Sequence, residues 1–86
     1  MANVNGILGI SEVRLLSDAD ALHAVDVVPM YQGWAVMVGV RDSESGYIKW
    51  KCMTKAQSLE VRVFSSLDTA FKVISSFWSE KVEVML

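Results

Sequence analysis

The chain has 86 residues, a formal charge of −2 and 52% hydrophobic residues, with a pI near 5.2 and a mean hydropathy of +0.33. A chain this short makes one domain, residues 1–86, with a modest core. The acidic balance excludes indiscriminate DNA binding through a global basic field, and the single cysteine excludes an internal disulfide framework. The longest uncharged run, Val27–Val40, is interrupted by Pro29, Gln32, Gly33 and Gly39, and it falls short of the roughly 20 apolar residues of a spanning helix. The opening residues lack the positive region of a secretory signal. These features lead us to expect a cytoplasmic protein with no membrane partner. The surplus of apolar residues on so small a domain predicts a homo-oligomer, most simply a dimer.

In chain order, Ser11 to Ala24 reads as an interrupted helix. Ser11 caps its first part, and Ser17-Asp18-Ala19-Asp20 reads as a second cap feeding Ala21–Ala24. Asp26–Met30 reads as a short strand, confined to an edge because Pro29 cannot donate to a ladder. Tyr31-Gln32-Gly33 supplies a turn. Trp34–Val40 is apolar on both parities, as a central strand covered on both faces should be. Arg41–Gly46 is a polar hairpin loop, and Tyr47–Met53 alternates as the next strand. A turn at residues 55–58 leads into Leu59–Phe64, with Leu59, Val61 and Val63 facing inward. Behind a Ser65-Ser66-Leu67-Asp68 cap, Leu67, Ala70, Phe71, Ile74, Phe77 and Trp78 form an apolar helical stripe. Val82, Val84 and Leu86 resume a period of two. The expected fold is α+β: a mainly antiparallel meander, one long amphipathic helix on one face, a short N-terminal helical segment and a C-terminal strand.

Placing the helix over the sheet assigns Ile48, Trp50 and Cys52 to the inner face. Tyr47, Lys49, Lys51, Glu60, Arg62 and Phe64 then fall outside, joined by Ala35, Met37, Gly39 and Arg41 of the central strand. On this reading Arg41, Lys49, Lys51 and Arg62, with Lys55 in the adjoining turn, form a basic, aromatic platform suited to nucleic acid. The same face also suits self-association, through Met37, Tyr47 and Phe64 and, on a terminal edge strand, Met85. Edge pairing along Asp26–Met30 or Val82–Leu86 is the other route to a dimer.

Catalytic chemistry has little to stand on. Asp18, Asp20 and His23 are too few for a metal centre, and the two acids suit a helix N-terminus. Cys52 has inward parity, where a thiol is an inert small hydrophobe, and no motif supports a Cys52–His23 dyad. The serines make no Gly-x-Ser-x-Gly, and Gly33, Gly39 and Gly46 make no phosphate loop. No catalytic residue, cofactor or metal is expected, and an enzyme is not. Trp34, Trp50 and Trp78 suit core packing, or alternatively the lining of a small-ligand pocket.

Gly33-Trp34-Ala35-Val36-Met37-Val38 and Arg62-Val63-Phe64-Ser65-Ser66-Leu67-Asp68-Thr69-Ala70 together resemble a pattern in small proteins encoded on bacterial plasmids and other mobile elements. Some of those are partition-associated or carried as gene cassettes. The resemblance implies an accessory protein of mobile DNA and transfers no functional residue. The expected function is therefore a non-enzymatic, homodimeric interaction module. A nucleic-acid-binding accessory protein and a small-ligand binder are the alternatives.

Overall fold

The computed structural model describes residues 7–55 and 60–85. The elements in chain order are β1 (Ile7–Leu8), α1 (Ile10–Asp18), β2 (Leu22–Met30), β3 (Gly33–Arg41), β4 (Ile48–Met53), α2 (Leu67–Ile74) and β5 (Val82–Val84). They form one α+β unit with a five-stranded sheet in the order β1-β4-β3-β2-β5.

The sheet is mixed, which corrects the expected meander. β3 runs antiparallel to both β2 and β4, but β1 joins β4 in parallel and β5 joins β2 in parallel. Each parallel pair is reached through a helix, as parallel geometry requires. The last strand therefore lies beside β2, across the sheet from β4. Asp26–Met30 is accordingly not a free edge, since Val25–Val27 pair with Val82–Val84. Pro29 is tolerated because it lies beyond the end of β5. Val27 turns its carbonyl outward to accept from the Met85 amide at 2.8 Å, and Pro29, two residues on, has no N–H to continue that ladder.

Helix α1 ends where the sequence suggested a second beginning. Asp20 takes a left-handed φ of 59°, while the Asp20 amide bonds the Ser17 carbonyl at 3.0 Å and the Ala21 amide bonds the Leu16 carbonyl at 2.8 Å. That pair of bonds is a Schellman stop, with an aspartate in the place usually held by glycine. Ser17–Asp20 thus ends α1, and Leu22–Ala24, expected to be helical, opens β2. At the other end Glu12 reaches back to the Gly9 amide at 2.8 Å, half of a capping box.

Helix α2 is eight residues long, shorter than the long helix expected, and a turn covers residues 75–77. Ser66 caps it, its Oγ accepting from the Thr69 amide at 3.2 Å. Among the described residues the stretch 60–64 forms isolated bridges, Thr54 with Val61 and Trp34 with Phe64, in place of the expected strand. Leu59, the turn at 56–58 and Leu86 lie outside the described residues.

Both helices cover the same side of the sheet. Val13 of α1 and Ala70 and Ile74 of α2, with Phe77 beyond it, share one core with Leu22, Val25, Val27, Val36, Val38, Met53 and Phe64. Directly paired residues on neighbouring strands share a face, so the register extends this layer. Val38 pairs with Lys51, and Val40 with Lys49. The parity of β4 is therefore the reverse of expectation: Lys49 and Lys51 lie on the helix side, while Ile48, Trp50 and Cys52 lie on the other. Gly39 accounts for the inversion. A Cβ at that position would stand 3.0 Å from Ile48 Cγ2 and 3.3 Å from the Trp50 ring, so the indole lies where only a glycine leaves it space. Lys49 is exposed and Lys51 half-buried, as long charged side chains can be on an apolar layer when their stems pack along it.

A helix-free sheet face as the candidate interaction site

The second face of the sheet carries neither helix, and its residues follow from the register in rows. Ile48 lies beside Arg41, and Trp50 beside Gly39 and Ala24. Cys52 lies beside Met37, Asp26 and Glu83, and Ala35 beside Val28. Ala35 and Cys52 are buried, Met37, Val28 and Ile48 are half-buried, and Trp50 is 43% exposed. The result is an apolar strip flanked by charge of both signs.

The acidic side of the strip is Asp26 and Glu83, directly opposite one another on β2 and β5. Burial, and then the neighbouring Glu83, push the Asp26 carboxyl above its ordinary 3.8. Like charges in directly paired positions destabilise a sheet. Glu83 is joined to Lys81 at 3.5 Å, and among the described residues Asp26 has no cationic partner. The basic side is Arg41, whose guanidinium donates to His23 Nδ1 at 3.0 Å. His23 is the residue at which the β2–β3 register slips, between Leu22 and Ala24. Such a bulge re-aims side chains, here bringing an imidazole beside Arg41 instead of toward Asp18 and Asp20. Among the described residues no group of three or more His, Cys, Asp and Glu is placed to hold a metal ion.

The proposed basic platform is dispersed. Arg41 lies on the helix-free face, whereas Lys49 and Lys51 lie on the other. Lys49 Nζ stands 3.6 Å from the Asp42 carboxylate, and Lys55 3.3 Å from Glu60. Arg62 sits 4.7 Å over the Phe64 ring, a cation–π contact that occupies both groups. The self-association set divides as well. Met37 lies on the helix-free face, but Phe64 is a core residue, 4% exposed, because its bridge with Trp34 turns it toward the helices. Tyr47 is exposed in the β3–β4 loop, and Met85 is exposed just past β5.

The tryptophans do not converge on one pocket. Trp34 packs against the helix-side core and Trp50 lies on the opposite face. Trp78 donates its Nε1 hydrogen to the Lys81 carbonyl at 3.0 Å, beside a notch shared with His23, Asp26, Glu80 and Glu83. Cys52 is separated from His23 by β3, and burial pushes its thiol up, away from nucleophilic character.

Trp50 and Ile48 are the apolar residues of this face that sequence reasoning placed on the other side. The signal was present: in a hairpin closing on Arg41 and Ile48, Gly39 falls opposite Trp50. No protein-family model, curated protein or solved structure matches this chain. Among the described residues no helix is long and apolar enough to cross a membrane.

Proposed function

We propose that this protein is a non-enzymatic interaction module that works as a homodimer, assembled through the helix-free face of its sheet. The supporting observation is Trp50, a 43% exposed indole in a row with Gly39 and Ala24 and flanked by Ile48 and Met37 on a face that neither helix covers. Contiguous apolar surface of this kind on a small domain is the mark of a protein contact, and a tryptophan at its centre is the residue type that most often anchors one. Mixed charge around the strip fits the polar rim of an interface better than a track for phosphates. A cytoplasmic accessory role on mobile DNA, suggested by the resemblance over residues 33–38 and 62–70, is the setting we assign to it.

Light scattering at tens to hundreds of micromolar tests the reading. The expected mass is twice the 9.5 kDa of the chain, and Met37→Lys, which places a charge within the strip, is expected to return it to a monomer. A wild-type monomer throughout that range overturns the proposal.

A further inference from the structure

We infer that the partner on this face is a second copy of the chain in one particular arrangement, in which Arg41 of each subunit meets the Asp26–Glu83 pair of the other. The inference rests on the dimeric reading above and adds to it the contacts that fix the docking.

Its basis is a mismatch of charge within the single chain. Asp26 and Glu83 are directly paired, and the proximity of Glu83 and partial burial make the Asp26 charge costly. Arg41, on the same face, is hydrogen-bonded to His23 Nδ1, and among the described residues it has no carboxylate partner. Each charge lacks what the other would supply. They do not reach one another within the chain. Asp26 pairs with Met37, and Arg41 stands four residues further along β3, so their Cα positions are about 14 Å apart at the usual rise of 3.3 Å per residue and the usual strand spacing.

A two-fold axis lying in the interface and crossing the strands midway between them brings each arginine over the other subunit's acids. That midpoint is the row of Ala24, Gly39 and Trp50, so the two indoles face one another across the axis. Strands then run roughly antiparallel across the interface, within the alignment that stacked sheets adopt. A two-fold contact is self-complementary, so one arginine and one acidic pair per chain generate two identical ion-paired contacts. Trp50, in the axis row, supplies apolar area between them. Five strands give a face about 24 Å wide, which points to an interface at the lower end of stable dimers and makes the charge contacts decisive for register.

The test is charge exchange. Arg41→Glu and the double variant Asp26→Lys/Glu83→Lys are each expected to weaken the homodimer about tenfold or more in sedimentation equilibrium. Mixed in equal amounts, the two variants are expected to form a heterodimer of near wild-type affinity, because both contacts then join opposite charges. Lys49→Glu, on the helix side, is expected to change nothing, and circular dichroism establishes that each variant is folded. A wild-type dimer indifferent to both reversals, or variants that mixing fails to restore, overturns the pairing while leaving self-association standing. A wild-type monomer overturns the parent reading, and this one with it.

Discussion

The Asp42 carboxylate holds the β3–β4 loop together. It accepts from the Glu44 amide at 3.1 Å and from Ser45 Oγ at 2.9 Å, while the Gly46 amide bonds the Asp42 carbonyl at 2.8 Å with Gly46 at a φ of 79°. The Glu44 amide, the Ser45 hydroxyl and then Lys49 hold its carboxyl below the ordinary 3.8. A depressed folded value contributes stability above the unfolded value and loses it as pH falls through the folded one. Asp42→Ala is therefore expected to lower the urea midpoint at pH 7, with the gap to wild type closing in strong acid. Asp26 has the opposite sign. Its raised folded value contributes stability below 3.8 that is lost as pH rises through it. Asp26→Asn is expected to raise the urea midpoint of a dilute, monomeric sample at neutral pH, with the two proteins converging in acid. The same substitution is expected to weaken the dimer. A change of one sign in both measurements would remove Asp26 from the interface.

Elements whose signals were local were legible in the sequence, and those decided by tertiary pairing were not. The central strand declared itself through an apolar run on both parities, and the start of α2 through its serines, although Ser66 rather than Ser65 is the cap. Ser66→Ala is expected to cost about 1 kcal/mol in chemical denaturation. The β2 start was misread because Ser-x-x-Asp also fits a Schellman stop once Asp20 takes the left-handed region, and no local propensity distinguishes the two. The parity of β4 failed for a different reason. Hydrophobicity favours Ile48, Trp50 and Cys52 inside, yet the hairpin register places Trp50 against Gly39, and the space above a glycine outweighed the preference. Gly39→Val tests that account. Its side chain would displace Ile48 and the Trp50 ring, with an expected loss of about 1–3 kcal/mol and a red shift in tryptophan emission as the indole moves into water. Unchanged emission would mean that Trp50 does not depend on Gly39 for its seat.

At the scale of the whole molecule, one core is sandwiched between two short helices and one face of a sheet, and among the described residues the other face carries no helix. A domain of this size has little stability in reserve, so a partner that binds only the folded form raises its apparent stability by mass action. For a dimer well above its dissociation constant, each tenfold rise in concentration adds about 1.4 kcal/mol per dimer, or about 0.7 kcal/mol per chain. In a domain of 60–100 residues 1 kcal/mol moves Tm by roughly 4–8 °C. Thermal unfolding followed by circular dichroism is therefore expected to shift upward by about 3–6 °C for each tenfold increase in protein. Raising salt at constant protein is expected to lower Tm by screening the Arg41 contacts at the rim. A Tm independent of concentration across two decades would mean that the helix-free face is stable against water alone, and that no second subunit contributes to the fold.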